Sequence, residues 1–255
     1  MVGAGDIGMC GTGGAEATAR LLESIPGTVF TTGDNAYMTG TAAEFKNCYD
    51  PSWGRHRSRT RPTPGNHEYA SGGGDYYDYF GEGAGPRGAG YYSYTVGPWR
   101  VYALNSEIPS APGSPQSEWL RQELSSRPAA CTAAYWHRPL FTSGSNGDNP
   151  DMRELWRTLY AANVDLIING HDHTYERFSA QDPDGRPDPQ RGMRQFIVGT
   201  GGASLYGFPR VRANSEVRAA VWGVTTFTLM SGGYQWEFVP VEGTTFRDAG
   251  FGSCH

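Results

Sequence analysis

The sequence lacks the features of a membrane protein or a nucleic-acid-binding protein. None of its apolar runs approaches the ~20 residues that a transmembrane helix needs, and no signal peptide is visible. Only 18% of its residues are charged, its net charge is −5, and no basic stripe is present. We therefore expect neither a nucleic acid nor a membrane as partner. Because the motif GDIG at Gly5–Gly8 follows Met1 almost directly, we expect the chain to begin at a trimmed mature end.

The sequence also lacks any CxxC pair, and its four cysteines have none of the spacings of a structural zinc site. They leave two disulfides or four free thiols. We favour disulfides, because a free thiol at Cys254, in an exposed-looking tail, would be a liability. Among the possible pairings we expect Cys10 with Cys48, which both lie in loops after early strands, and Cys131 with Cys254. Two disulfides predict a secreted or periplasmic protein.

Glycine and proline, by contrast, are abundant, with 36 and 17 residues. This composition indicates a loop-rich chain with short regular elements, without a disorder signature. Helical and strand patterns alternate over the first two thirds, and strand patterns fill the last quarter. We therefore predict an α/β fold whose C-terminal strands form a second sheet or an antiparallel extension of the first. No linker or repeat is visible, so we expect one domain over residues 1–255.

The periodicity predicts the positions of most regular elements. The predicted helices are Ala15–Ser24, Thr41–Tyr49, Asp75–Phe80, Pro115–Ser125 and Met152–Ala162. The predicted strands are Met1–Gly5, Thr28–Thr32, Tyr91–Val96, Arg100–Asn105, Thr132–Trp136, Val164–Asn169, Gln195–Val198, Ala219–Met230 and Tyr234–Val241.

Five short motifs stand where strands should end. They are GDIG at Gly5–Gly8, GDNAY at Gly33–Tyr37, GNHE at Gly65–Glu68, YWHRP at Tyr135–Pro139 and GHDH at Gly170–His173. Because ligands gather at the carboxyl ends of strands in α/β sheets, these motifs should converge on one face. Alone, each has an ordinary interpretation as a turn or a packing residue. Together they supply the ligands of two hard-to-borderline metal ions, with one carboxylate left to bridge them.

The five motifs resemble those of the calcineurin-like metallophosphoesterases, over about Gly5 to Gly202. Within this family, a tyrosine three residues after the aspartate, as Tyr37 is after Asp34, resembles the pattern of the purple acid phosphatase branch. The stretches CYDPSWGRHRSRTRPTPGNHEY and GHDHTYERF look most like the bacterial secreted members of that branch. Nothing at the N-terminus resembles the fibronectin-like domain of the large plant enzymes. The resemblance implies a β-sandwich of two mixed sheets flanked by helices, in a single domain.

The resemblance also implies how the two metal ions are held. The first would be bound by Asp6, Asp34, Tyr37 and His173. The second would be bound by Asp34, Asn66, His137 and His171, with Asp34 bridging. A Tyr37 phenolate suits a ferric ion and would colour the protein, whereas Asn66 and His171 suit a divalent Fe, Zn or Mn ion.

The activity that the resemblance implies is that of a phosphomonoesterase, in which a metal-bound hydroxide attacks phosphorus in line. His67 would hydrogen-bond the phosphate or protonate the leaving oxygen, and Glu68 would orient His67. Bacterial relatives often carry a second histidine in a pattern like SGxHG. Here Asn146 occupies that place, and it can donate a hydrogen bond but no proton near neutral pH. His67 would then be the only acid, or the substrate would have a good leaving group.

Several alternatives remain open at this stage. A phosphodiesterase with the same metals, a tailoring phosphatase for a small metabolite and a non-catalytic metal-binding protein all fit the motifs. We expect a phosphorylated small molecule as substrate and a monomeric protein. We interpret the arginines between Arg55 and Arg61 as a solvated segment rather than a phosphate clamp. The aromatic residues of Tyr76–Phe80 should pack a loop or form a cleft wall, and Gly199–Gly202 should form a tight turn below the metals.

Overall fold

The protein contains thirteen β-strands and six α-helices, and the computed structural model describes all 255 residues. The strands are β1 (Val2–Ala4), β2 (Val29–Thr32), β3 (Thr60–Thr63), β4 (Tyr92–Val96), β5 (Trp99–Ala103), β6 (Thr132–Tyr135), β7 (Leu166–Asn169), β8 (Tyr175–Phe178), β9 (Arg194–Val198), β10 (Ser215–Ala219), β11 (Gly223–Met230), β12 (Gly233–Pro240) and β13 (Asp248–Ser253). The helices are α1 (Gly14–Ser24), α2 (Ala42–Glu44, continued by a π-helical turn over Phe45–Tyr49), α3 (Asn66–Tyr69), α4 (Gly74–Phe80), α5 (Pro115–Ser126) and α6 (Arg153–Ala161). Short 3-10 helices cover Trp53–Arg59, Gly81–Ala84 and Pro150–Met152.

The strands form two mixed sheets. The first has six strands in the order β13-β12-β11-β1-β2-β3, and the second has seven in the order β10-β8-β9-β7-β6-β5-β4. In the first sheet β1, β2 and β3 are parallel, while β11 joins β1 in antiparallel orientation. In the second sheet β5, β6, β7 and β9 are parallel. The C-terminal strands β11 to β13 therefore extend the first sheet, which decides between the two arrangements predicted for them.

Helices cover both outer faces of the sandwich, and aromatic side chains fill the space between the sheets. Phe30 and Phe227 of the first sheet contact Tyr135 and Phe196 of the second, and all four are buried. Residues of α1 belong to the core on the first sheet, and residues of α5 and α6 to the core on the second. The predicted β-sandwich of two mixed sheets flanked by helices is confirmed. The structure contains no helix that is long and apolar enough to span a membrane.

The predicted elements all appear, with ends that shift by a few residues. Four strands escaped prediction, namely β3, β8, β10 and β13. Strand β8 closely follows the GHDH motif, whose sequence predicts a loop. Strand β13 is rich in glycine, which is uncommon in strands. Strand β3 pairs with β2, β8 with β9 and β10, and β13 with β12, so pairing rather than local pattern makes them strands.

Two of the weaker interpretations now have an outcome. The aromatic residues Tyr76, Tyr77 and Phe80 are buried, which confirms that they pack the loop. The arginines are more than a solvated segment: Arg59 donates to the carbonyl oxygens of Leu22, Ile25 and Gly27 and thereby caps the end of α1.

The loop over Gly199–Gly202 forms the predicted tight turn. It is buried, and the Gly201 N–H donates to the Gly5 carbonyl at 2.8 Å. A Cβ atom at Gly199 would stand 2.1 Å from the Asp172 carbonyl oxygen. Close approach of two loop backbones therefore explains the glycine here.

The structure pairs Cys10 with Cys48 and Cys131 with Cys254, so the predicted pairing is confirmed. The first disulfide joins the loop after β1 to the π-helical turn. The second joins the residue before β6 of the second sheet to the residue after β13 of the first sheet. It therefore ties the two sheets together across a sequence separation of 123 residues.

We expect the Cys131→Ser/Cys254→Ser double variant to lose about 2–5 kcal/mol of unfolding free energy, because opening a long loop restores entropy to the unfolded chain. Denaturant unfolding measures the loss. The Cys10→Ser/Cys48→Ser variant, whose residues are 38 apart, should lose about 1 kcal/mol less by the same loop-length argument. Equal stability of the wild type and the first variant would contradict the prediction.

Candidate metal centre

Five loops meet at one end of the sandwich. Strands β1, β2 and β3 of the first sheet end just before Asp6, Asp34 and Asn66. Strands β6 and β7 of the second sheet end just before His137 and His171. Parallel strands place their carboxyl ends at the same edge of a sheet, so these side chains converge within each sheet although they are far apart in the sequence. The contacts of His137 with Asp34 and Asn66 join the two sets. The structure brings together all seven residues that the sequence predicts as metal ligands.

The first ligand group surrounds the hydroxyl of Tyr37. Its oxygen lies 2.9 Å from Asp6 Oδ1, 3.2 Å from Asp34 Oδ2 and 3.0 Å from His173 Nε2. The His173 Nε2 atom is also 3.3 Å from Asp6 Oδ1. Two carboxylates, a phenol and an imidazole therefore point at one small space.

The second ligand group surrounds Nε2 of His137. This atom lies 3.2 Å from Asp34 Oδ2, 3.0 Å from Asn66 Oδ1 and 3.1 Å from His171 Nδ1. Asp34 Oδ2 thus belongs to both groups, since it contacts the Tyr37 hydroxyl as well. One carboxylate oxygen shared by two groups is the arrangement that a bridging ligand needs.

The chemistry of these two groups fits metal ions. Zinc bonds to nitrogen and oxygen are about 2.0–2.2 Å long, so neighbouring ligand atoms stand about 3 Å apart. The separations of 2.9–3.3 Å found here match that spacing. Asp6 and Asp34 are 0% and 1% exposed, and histidines are their only ion-pair partners. Buried carboxylates without a lysine or arginine partner favour a bound cation.

Backbone carbonyl groups orient two of the imidazoles. His137 Nδ1 lies 2.8 Å from the Thr32 carbonyl oxygen, and His173 Nδ1 lies 2.6 Å from that of Ser204. A carbonyl accepts a hydrogen bond, so each ring carries its proton on Nδ1 and presents Nε2 to the metal space. The ring of Tyr206 stacks on His173 with a centroid distance of 4.0 Å. Sequence analysis did not identify Tyr206, because it lies in a loop without a motif.

Burial and the neighbouring charges decide where protons sit in this centre. Burial, assisted by His137 and Arg138, lowers the pKa of His171 to about 2, which keeps its imidazole neutral and ready to bind metal. Burial opposes charge on His137, yet the carboxylates of Asp34 and Asp6 raise its pKa to about 10. Burial and the same carboxylates raise the pKa of Tyr37 well above its ordinary value. Protons on His137 and Tyr37 therefore offset the negative charge of the carboxylates, and metal ions would displace these protons.

The backbone of the centre is held in an uncommon conformation. Four non-glycine residues have positive φ angles, and three of them are predicted ligands: Asp6 at 60°, Asp34 at 50° and His171 at 71°. Residues other than glycine rarely adopt this left-handed conformation. Those that do adopt it concentrate at functional sites. The surrounding hydrogen bonds fix these loops, for example that from the His171 N–H to Asp6 Oδ2 at 2.9 Å.

Glu68 does not orient His67, so the role predicted for it is wrong. Its buried carboxylate accepts the backbone N–H groups of Asn35 at 2.8 Å, Ala36 at 3.1 Å and Gly65 at 2.8 Å. His67 and Glu68 are consecutive in the short helix α3, and consecutive helical side chains point in different directions. Glu68 instead ties the loop after β2 to the loop after β3.

His67 lies at the open side of the centre. Its Nδ1 contacts the Met38 carbonyl oxygen, and its Nε2 is 3.7 Å from Asp34 Oδ2. The ring packs on Tyr37 with a centroid distance of 4.4 Å. The side chain is 24% exposed, so it is reachable from solvent while its orientation is fixed.

Asn146 also lies beside the centre, as its place in the sequence predicts. Its side-chain amide donates to the His171 carbonyl oxygen at 2.6 Å, and its backbone N–H donates to Asp172 Oδ1 at 2.9 Å. Asp172 is buried and also accepts from the Thr142 hydroxyl at 2.6 Å. The aspartate within the GHDH motif therefore fastens the Asn146 loop to the loop of His171 and His173.

Comparison with known proteins agrees with this geometry. Purple acid phosphatase 15 of Arabidopsis thaliana is 27% identical over 215 residues, which are 68% of this chain and 40% of that protein. Probable purple acid phosphatase 20 of the same plant is 36% identical over 97 residues, which are 35% of this chain and 23% of that protein. The chain spans less than half the length of these curated relatives.

A solved structure shows the same fold. The purple acid phosphatase PPD1 from yellow lupin seeds superimposes with a TM-score of 0.78 at 20% identity, over 99% of this chain and 53% of that one. The model of the calcineurin-like phosphoesterase family matches residues 2–175. Because this match runs through all five strand-end motifs, we conclude that the chain belongs to the calcineurin-like phosphoesterase family, as those motifs predict.

Proposed function

We propose that this protein is a phosphomonoesterase that works with two metal ions. The observation that carries the proposal is the position of Asp34 Oδ2, which lies 3.2 Å from the Tyr37 hydroxyl and 3.2 Å from His137 Nε2. Two complete ligand groups that share one oxygen support a dinuclear centre. The purple acid phosphatases among its relatives support a phosphate ester as substrate. When bound, two such ions would activate a water molecule and stabilise charge on phosphoryl oxygens.

His67 is the proposed proton donor to the leaving oxygen. With Nδ1 held by the Met38 carbonyl, the proton on Nε2 is the one that can leave, and this atom is on the side of Asp34. Asn146 would serve only as a hydrogen-bond donor, because a carboxamide gives up no proton near neutral pH. One of its two amide hydrogens is already committed to the His171 carbonyl.

We expect His67→Gln to slow hydrolysis of an alkyl phosphate by about 10²–10⁴-fold, the usual contribution of a general acid. The loss on p-nitrophenyl phosphate should be much smaller, because that leaving group needs little protonation. Steady-state kinetics on both substrates measure the difference. An equal loss on both would contradict the role of proton donor and assign His67 to phosphate binding instead.

The proposal is tested by comparing two model substrates at matched metal loading. We expect the wild-type protein to hydrolyse p-nitrophenyl phosphate much faster than bis-p-nitrophenyl phosphate. The opposite preference would establish a phosphodiesterase with the same centre. Hydrolysis of neither ester, with two metal ions bound per chain, would favour a non-catalytic metal-binding protein.

We further propose that the first ligand group, which contains Tyr37, binds Fe(III) and that the second binds a divalent Fe, Zn or Mn ion. A buried phenol surrounded by carboxylates suits a small, highly charged cation. We expect the iron-loaded protein to be coloured and Tyr37→Phe to lose the visible band. Visible spectroscopy and elemental analysis measure both. A colourless wild-type protein that contains two metal ions would contradict the ferric assignment.

The two disulfides support a location outside the cytoplasm. Cytoplasmic thiols are kept reduced, whereas secreted and periplasmic proteins keep disulfides. Both bridges are formed in this structure. We therefore propose that the protein is secreted or periplasmic, and that it acts as a monomer on small phosphorylated molecules.

A further inference from the structure

A sixth strand end reaches the metal centre. Strand β5 lies beside β6 in parallel orientation, and the residues that follow it include Ser106 and Glu107. Both contact Arg138, which directly follows the ligand His137. The Arg138 N–H donates to the Ser106 hydroxyl at 3.1 Å, and its side-chain Nε is 3.0 Å from each oxygen of Glu107.

The way in which Arg138 meets Glu107 leaves the forked end of the guanidinium free. The contact uses Nε alone, whereas arginine–carboxylate pairs frequently engage two guanidinium nitrogens. The Nη1 atom lies 3.5 Å from His171 Nε2, and Nη2 makes no hydrogen bond to the protein. The side chain of Arg138 is 29% exposed, while that of Glu107 is only 8% exposed. Glu107 is thus the more buried partner, and the Nη1 end of the guanidinium lies beside His171.

A metal ion on Nδ1 of His171 would leave Arg138 Nη1 without an acceptor. His171 Nδ1 is the atom that faces His137, at 3.1 Å, and is therefore the atom placed to bind metal. An imidazole that binds metal through Nδ1 carries its proton on Nε2. That Nε2–H cannot accept from Arg138. Two guanidinium nitrogens at the edge of the centre therefore have donors to offer and no protein oxygen to receive them.

We infer that Arg138 binds a non-bridging oxygen of the phosphoryl group of the substrate, and that Glu107 holds it in place. The inference rests on the proposed function. A planar guanidinium fork matches phosphate oxygens in geometry and charge. Arg212 is committed elsewhere, because both its Nε and its Nη2 contact the carboxylate of Asp148. Arg138 is thus a phosphate-binding residue, and Glu107 is its positioning residue.

The test uses inorganic phosphate as probe and the fully metal-loaded protein. We expect Arg138→Met, combined with Glu107→Gln so that no buried charge stays unpaired, to weaken phosphate binding by about 10- to 100-fold. Calorimetric titration measures the affinity, elemental analysis the metal content and thermal unfolding the stability. We expect two metal ions per chain to remain bound. Arg138→Lys, which keeps the charge and loses the fork, should fall between the double variant and the wild type.

Arg87→Met is the control, because Arg87 forms an exposed ion pair with Asp78 and should leave phosphate affinity unchanged. The inference is overturned if the metal-loaded double variant binds phosphate as tightly as the wild type does. This holds even if the melting temperature of the double variant is lower. Failure of the wild type to bind phosphate would overturn it as well. If the wild type binds phosphate and hydrolyses neither test ester, the proposed function fails, and the phosphate affinities of the variants still decide on Arg138.

Discussion

The Asp34→Asn variant is expected to retain at most one metal ion per chain and to lose about a thousandfold or more in phosphatase activity. In the wild type, Asp34 Oδ2 contacts the Tyr37 hydroxyl in one ligand group and His137 Nε2 in the other. Replacing the carboxylate with an amide removes a full negative charge from the oxygen that both ions would share. Either ion then loses a charged ligand, and the two cations lose the anion that screens their repulsion.

The substitution keeps the size and shape of the side chain, which limits other effects. Asp34 Oδ1 accepts the backbone N–H of His67 at 3.0 Å, and an amide oxygen can still accept it. The loops should therefore keep their positions, and circular dichroism should resemble that of the wild type. Elemental analysis after dialysis measures the metals, and hydrolysis of p-nitrophenyl phosphate measures the activity.

Asp165→Asn is the matched control. Asp165 is also a buried carboxylate, and it accepts a backbone N–H, from Thr132 at 2.8 Å. It precedes β7, whereas the metal centre lies at the other end of that strand. This variant should change stability and keep both metal ions. If Asp34→Asn keeps two ions and most of its activity, the shared-oxygen interpretation is wrong.

The convergence of the ligands was predictable from sequence because each stands directly after a strand. A strand end fixes the direction of the chain, and parallel strands of one sheet share an edge. Asp6 and Asp34 are therefore expected together after β1 and β2, and His137 and His171 together after β6 and β7. The same rule brought Ser106 and Glu107 to the centre after β5. They carried no motif that marks chemistry, so sequence analysis did not include them.

The supporting contacts were harder to predict, because they depend on small rotations of the chain. The resemblance predicts that Glu68 orients His67, yet the helical turn at α3 directs the carboxylate to Asn35 and Gly65. The carbonyls of Thr32 and Ser204 orient two imidazoles, and a backbone carbonyl leaves no residue signature. Strands β8 and β10 depend on pairing with each other, which a local pattern does not reveal.

A single added methyl group in the loop after β3 is expected to disable the centre. At Gly65 a Cβ atom would stand 2.1 Å from Asp34 Oδ1 and 2.5 Å from the Asp34 nitrogen. The glycine has φ −122° and ψ −172°, a conformation that alanine also adopts, so space alone opposes the change. We expect Gly65→Ala to displace Asp34, to weaken metal binding and to lower activity by about 100-fold or more, as misplacement of catalytic groups by about 1 Å can do.

The loop has little freedom to absorb that displacement. Asp34 already has a φ of 50°, and the Gly65 N–H is committed to Glu68 at 2.8 Å. Overpacking of a fixed site also costs stability, by about 1–3 kcal/mol. The variant should therefore melt below the wild type, and the difference should grow when metal is present, because the wild type gains stability from metal that the variant binds weakly.

Gly83→Ala is the control for the added methyl group. The nearest atom to a Cβ at Gly83 is the Thr60 carbonyl oxygen at 3.8 Å, an ordinary contact. Gly83 lies after α4, in the 3-10 helix Gly81–Ala84, apart from the five loops. We expect this variant to match the wild type in metal content and activity. Wild-type metal content and turnover in Gly65→Ala would mean that the loops after β2 and β3 shift together, and that the position of Asp34 is set by the metal ions rather than by the fold.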